Sequence, residues 1–244
     1  MGSERLAVSS TEQAPDGLPK ERVLFPASLA ALSAAAAASA ALAVRGHYAG
    51  PRRTLVYVFK PLTTLLILAI ALRLASGIAG HYAAAVAFGL VFSLAGDVFL
   101  MLPRDRFREG LASFLAAHVC YIVAFTSGIG FVADPALTVA FGALGLLFLR
   151  LLWPGVSGHL RIPVILYVVV ILTMAVQATG RELRIHAVSS LLAAAGAALF
   201  VASDALLAWD RFRVSFRSSR VAVLSTYFLA QWLIALSVQA GTAP

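Results

Sequence analysis

Ser93-Leu94-Ala95-Gly96-Asp97-Val98-Phe99-Leu100-Met101 places a carboxylate inside an apolar run long enough to cross a bilayer. A charged side chain in such a run costs about 2.5–3.5 kcal/mol on insertion scales, so these residues are rare and have a partner or a function. The feature recurs late in the chain, at Val201-Ala202-Ser203-Asp204-Ala205-Leu206-Leu207. The two aspartates, with the polar residues that can reach them, are the expected working centre.

The surrounding sequence sets the class. Of 244 residues, 61% are hydrophobic and only 12% charged, and the mean hydropathy is +0.90. Soluble domains carry about 25% charged residues. The deficit, together with repeated apolar runs of about 18–22 residues, indicates an all-α polytopic membrane protein. The net charge of +8 comes from 19 Lys and Arg against 11 Asp and Glu. These cations lie mainly between apolar runs, where they act as topology signals, so nucleic acid is not an expected partner. One cysteine, Cys120, allows neither an intrachain disulfide nor a cysteine metal cluster. Residues 1–21 are polar and aperiodic and read as a flexible tail, with no cleavable signal peptide, ahead of an eight-helix domain over 22–244.

Eight spans are expected, at about 23–44, 54–74, 81–102, 109–127, 135–153, 161–178, 186–208 and 220–241. Gly50-Pro51 breaks the chain after the first, and Arg45, Arg52 and Arg53 form the loop there. Asp134-Pro135 opens the fifth span, Pro163 falls in the first turn of the sixth, and Arg181, Glu182 and Arg184 precede the seventh. Arg104, Arg106, Arg108, Arg150, Arg161, Arg211, Arg213, Arg217 and Arg220 concentrate the remaining positive charge around the loops after spans 3, 5 and 7. That bias places the odd loops in the cytoplasm. A weak repeat relates Asp97 and Arg106-Phe107 to Asp204 and Arg211-Phe212. On that alignment His118 and Tyr121 fall where Tyr227 and Gln231 fall, and Pro61 and Pro163 open spans 2 and 6 alike. The halves are then expected to be parallel four-helix repeats.

Depth brings the polar residues together. Asp97 lies about six residues before Pro103, and Lys60 about six residues into span 2, so both sit roughly 9 Å inside the same face. Asp204 lies about four residues before span 7 exits there. His118, Tyr121, Tyr227 and Gln231 sit nearer mid-membrane. Ser93 and Asp97, Lys60 and Thr64, and Tyr227 and Gln231 are spaced i,i+4, and His118 and Tyr121 i,i+3, so each pair shares a helix face. One cavity opening toward the basic loops can take them all. Plainer roles exist for each. Asp97 can pair with Lys60 to pin two helices, Asp204 can be a solvated helix-end residue, and His118 and the tyrosines can be packing residues.

Other chemistries lack their residues. There is no G-x-S-x-G elbow, Walker loop or G-x-G-x-x-G fingerprint. Histidines occur at His47, His81, His118, His159 and His186, with no H-x-x-x-H pair, so no metal site is expected.

Taken in order, Lys60-Pro61, Ser93-Leu94-x-Gly96-Asp97-x-x-Leu100-Met101, Phe114-x-x-x-His118-x-x-Tyr121, Ser203-Asp204-x-x-Leu207-Ala208 and Tyr227-x-x-x-Gln231 resemble the YhhN family, over most of residues 54–236. That family includes the animal lysoplasmalogenases. The resemblance implies an eight-helix membrane hydrolase without cofactor, in a bacterial inner membrane or an endoplasmic reticulum membrane. It implies a lysophospholipid substrate whose vinyl ether is cleaved to a fatty aldehyde and glycerophosphocholine or glycerophosphoethanolamine. It also implies that Asp97 and Asp204 form the catalytic pair. The residues suit that chemistry, because vinyl ether hydrolysis needs an acid, a base for water and negative charge near an oxocarbenium ion. Asp97, kept ionised by Lys60, is the expected base, and Asp204 the expected acid, with the reverse assignment open. Ser93, His118, Tyr121, Ser203, Tyr227 and Gln231 are the expected supporting residues. A transporter that uses the buried Asp and Lys, and a scaffold with structural ion pairs, are the alternatives.

Overall fold

The computed structural model describes residues 27–48, 53–76, 80–216 and 218–240. Within them the chain forms eight helices: α1 (Ala27–Tyr48), α2 (Arg53–Ala75), α3 (His81–Met101), α4 (Phe107–Thr126), α5 (Pro135–Leu152), α6 (Arg161–Ile185), α7 (Val188–Phe212) and α8 (Ser219–Leu236). Each is long and apolar enough to cross a membrane, and no strand occurs among the described residues. Helices satisfy their own backbone hydrogen bonds, which hydrocarbon cannot do for them. The tail expected over 1–21 lies outside the described residues.

Local chemistry explains the ends. Asp134 caps α5 by accepting a hydrogen bond from the Leu137 amide at 2.8 Å, with Pro135 as the first helical residue. Asp105 accepts from the Phe107 amide at 3.3 Å and starts α4 two residues earlier than the charge pattern suggests. α6 ends on His186 in the left-handed region (φ 51°).

Several expected ends move. Arg45 belongs to the last turn of α1, not to a loop, and Arg53 opens α2. α6 runs on to Ile185, so Arg181, Glu182 and Arg184 are helical. They can be, because the arginine charges are answered on the spot. Arg181 donates to the Phe125 and Ser127 carbonyls at 3.2 and 2.7 Å, and Arg184 to Ile129 at 3.2 Å. α7 continues to Phe212, so Asp204 lies eight residues before its end rather than four. α8 stops at Leu236 and passes into a 3₁₀ turn, Ser237–Ala240. The prolines differ too: Pro61 is the ninth residue of α2, in its interior, whereas Pro163 is the third of α6. An interior proline removes one backbone donor, here the one that would reach Tyr57.

The helices pack in sequential pairs, α1 on α2, α3 on α4 and α7 on α8, while α5 sits at the edge against α6. In hydrocarbon, close approach and interhelical hydrogen bonds replace the hydrophobic drive. α3 approaches α4 through glycine. A Cβ on Gly96 would stand 2.6 Å from Phe114, and one on Gly89 would overlap the Tyr121 ring. Hydroxyl bonds tie other pairs, such as Thr63 to Ser39 at 2.8 Å between α2 and α1. At the centre, Phe114, Phe200 and Tyr227 meet edge to face, with centroids 5.5–6.4 Å apart. This aromatic cluster is the floor on which the polar residues stand.

Candidate functional site

Asp97 is buried on α3, paired with one ammonium and hydrogen-bonded by two hydroxyls. Lys60 Nζ of α2 lies 3.1 Å from its Oδ1, and the hydroxyls of Thr64 (α2) and Tyr227 (α8) donate to its Oδ2 at 2.7 and 2.8 Å. The i,i+4 spacing of Lys60 and Thr64 lets one helix face deliver both. Asp204, on α7, accepts from the Tyr167 hydroxyl of α6. His118 Nε2 of α4 stands 3.8 Å from the same oxygen, beyond hydrogen-bonding distance. The His118 ring is fully buried between Phe200 and Tyr167, centroids 4.7 and 5.2 Å away, and neither nitrogen has a hydrogen-bond partner among the described residues.

The arrangement is reciprocal. α2 donates a hydroxyl to the aspartate of α3, and α6 donates one to the aspartate of α7. α8 sends Tyr227 back to Asp97, while α4 sends His118 across to Asp204. Tyr121 of α4 also joins α8, donating to Gln231 Oε1 at 2.6 Å.

Two cavities meet at Asp204. One, of about 480 Å³, is polar and is lined by Lys60, Asp97, Ser203, Asp204, Arg220 and Tyr227 among others. The other, of about 130 Å³, is apolar. Phe107, Phe148, Leu152, Val164 and Tyr167 are among its walls. Leu100, Phe114, Asp204 and Leu207 line both. Asp97 faces the polar cavity, and Asp204 stands in the partition.

The expected supporting residues separate into groups. Tyr227 and Lys60 touch Asp97 directly. Ser203 lines the polar cavity, but its hydroxyl donates to the Val223 carbonyl at 3.0 Å and joins α7 to α8. Tyr121, Gln231 and Ser93 lie behind the site as buried polar packing, where Ser93 Oγ and Gln231 Nε2 lack partners among the described residues. Tyr167 is not expected from the sequence. Its one signal is its place four residues after Pro163, nearly matching Thr64 three residues after Pro61.

In the loop between α3 and α4, outside the membrane-spanning segments, Asp105 is bonded by Arg211 of α7 at 2.5 Å, and Arg211 lies 4.8 Å over the Phe107 ring. The hydrogen bond and charge of Arg211 hold the Asp105 carboxyl below the usual carboxylate range. Among the described residues, no group of three or more His, Cys, Asp or Glu side chains is placed to hold a metal ion.

A sequence model of the YhhN family matches residues 55–238, which takes in Lys60, both aspartates, Tyr167 and Gln231. The chain belongs to the YhhN family. Its relatives include the uncharacterized membrane protein YhhN of Escherichia coli O157:H7, 30% identical over 200 residues, which are 82% of this chain and 94% of that protein. Lysoplasmalogenase TMEM86A of Homo sapiens is 35% identical over 161 residues, and that of Bos taurus 34% over 160; each match covers 64% of this chain and 65% of the relative. No solved structure matches. With eight membrane-length helices and a relative named as a membrane protein, this YhhN-family chain is an integral membrane protein.

Proposed function

We propose that this protein is a lysoplasmalogenase-like ether hydrolase that acts on the vinyl ether of a single-chain phospholipid. The observation that carries the reading is the position of Asp204, in the partition between a polar and an apolar cavity, with Asp97 on the polar side. A lysoplasmalogen has the same division, and its vinyl ether joins the apolar chain to the polar glycerophospho group. Relatives named lysoplasmalogenase support the substrate class.

The two aspartates have unlike surroundings. Asp97 takes an ammonium and two hydroxyls, a set that favours the ionised carboxylate. Asp204 has one hydroxyl donor and a histidine, and faces hydrocarbon on one side. We assign Asp204 as the acid and Asp97 as the base. Asp204 gives its proton to the alkenyl carbon one removed from the ether, leaving an oxocarbenium ion at the ether carbon. Water adds there as Asp97 takes its proton, giving a hemiacetal. Asp97 returns that proton to the glycerol oxygen as the carbon–oxygen bond breaks, and the hemiacetal hydroxyl proton restores Asp204. Aldehyde and glycerophospho alcohol result, and both aspartates end as they began. Tyr167 positions Asp204, and Tyr227 and Thr64 position Asp97. The reciprocal contacts also support the reading of two parallel repeats, with one aspartate from each.

Purified protein given lysoplasmalogen should release fatty aldehyde, and Asp97→Asn and Asp204→Asn should each lower the rate by about 10²-fold or more, the usual scale of acid–base catalysis. Full activity in either variant overturns the paired mechanism. Solute uptake into liposomes without turnover would replace the hydrolase with a transporter.

A further inference from the structure

The mouth of the polar cavity carries two opposite charges. A third cavity, of about 530 Å³, adjoins it, and Arg104, Arg106, Arg211, Asp105, Asp210 and Arg220 are on its walls. Three of these six charges are already answered, while Arg104, which does not line the polar cavity, has no ion-pair partner among the described residues. Arg211 is paired with Asp105 at 2.5 Å and Arg106 lies 3.5 Å from Glu109. Arg220 has no ion-pair partner among the described residues, and Asp210 accepts only the Ser215 hydroxyl there, at 2.8 Å. Arg220 and Asp210 are also the two charged residues that line both cavities. Asp210 follows Asp204 on α7 by six residues, roughly 9 Å along the helix axis. A glycerophosphoethanolamine group attached at the reacting ether reaches over a comparable span.

We propose that Arg220 and Asp210 form the headgroup subsite for a zwitterionic phospholipid. The Arg220 guanidinium takes the phosphodiester, for which its planar fork of donors is suited. The Asp210 carboxylate takes the ammonium. Tyr57 also lines the polar cavity. The subsite rests on the hydrolase reading and narrows it: a substrate with both charges is held at both ends of its headgroup, while a bare phosphate meets Arg220 and is repelled by Asp210.

The test compares three substrates with the same alkenyl chain: lysoplasmenylethanolamine, the phosphate-only alkenylglycerol phosphate, and alkenylglycerol without a headgroup. In Arg220→Gln, kcat/KM for either phosphate-bearing substrate should fall about tenfold or more relative to alkenylglycerol, as loss of a charge-assisted contact predicts. In Asp210→Asn, the ethanolamine substrate should lose its advantage over the phosphate-only one. Equal changes for all three substrates overturn the subsite. If a variant fails to fold, wild-type inhibition decides. Glycerophosphoethanolamine should inhibit far more strongly than inorganic phosphate, and equal inhibition reduces the site to a plain anion site and overturns the proposal. If wild-type protein hydrolyses none of the three substrates, the hydrolase reading fails by itself. A rise in melting temperature with glycerophosphoethanolamine, absent in Arg220→Gln, then supports the subsite, and no rise in wild type removes it.

Discussion

Tyr167 of α6 donates its hydroxyl hydrogen to Asp204 of α7, and so holds the carboxylate that stands between the polar and apolar cavities. The ring is part of the apolar wall, and only its oxygen reaches the polar group. Tyr167→Phe keeps the wall and removes the hydrogen bond. A hydrogen bond to the charged carboxylate that forms as Asp204 gives up its proton contributes about 1.5–3 kcal/mol, so kcat should fall about 10- to 100-fold. KM should change little, because the substrate chain still meets the same ring. Steady-state kinetics on lysoplasmalogen measures both. A raised KM with unchanged kcat would make Tyr167 a binding residue only.

The Lys60–Asp97 pair makes a separate demand on stability. Both residues are buried, and removing one partner leaves a charge in a low-dielectric interior at a cost of about 3–5 kcal/mol. Lys60→Met should therefore lower the melting temperature in detergent well below that of the wild type. The double variant Lys60→Met with Asp97→Asn should recover most of that loss, since no unpaired charge remains, and stay inactive. A double variant no more stable than Lys60→Met would show that the pair's geometry, rather than its charge, holds α2 to α3.

Much of this arrangement is legible in the chain because the bilayer narrows the choices. Apolar runs must be helices, and a buried Asp in such a run needs a donor at the same depth, which points to Lys60. The Tyr227 contact with Asp97 crosses from α8 to α3, and no spacing rule encodes such a crossing. The approach of His118 to Asp204, which joins the two halves, is hidden for the same reason. Tyr167 escapes notice because a lone tyrosine between Leu166 and Val168 reads as packing. Its hydroxyl gains meaning only when α6 lies beside α7. The end of α6 misleads for an electrostatic reason. Arg181 and Arg184 look like loop residues until the carbonyls of Phe125, Ser127 and Ile129 are brought beside them.

The Asp105–Arg211 contact gives a pH dependence with a definite sign. Its hydrogen bond and charge keep the Asp105 carboxyl below its value in the unfolded chain, about 3.9. A depressed carboxyl contributes stability above the unfolded value and loses it as pH falls through the folded one. The Asp105 side chain is 65% exposed, so the contribution is small and screened by salt. The melting temperatures of wild type and Asp105→Asn should differ slightly and by a constant amount from about pH 6 to 8, and should converge as pH falls below about 4. A difference that widens in acid would contradict the assignment.

Gly96 links packing to the site. Its neighbour in the chain is Asp97, and a Cβ added to it would stand 2.6 Å from the Phe114 ring. That ring meets Tyr227 edge to face at 5.8 Å, and Tyr227 donates to Asp97. Gly96→Ala should therefore push Phe114 toward Tyr227 and disturb the donor set of Asp97. Overpacking of this kind costs about 1–3 kcal/mol, so both melting temperature and kcat should fall. Shortening the ring relieves the clash, and Gly96→Ala with Phe114→Leu should recover stability relative to Gly96→Ala alone. Thermal denaturation in detergent and aldehyde release measure the two effects. A Gly96→Ala protein with wild-type melting temperature and turnover would show that α3 and α4 can separate without moving Tyr227.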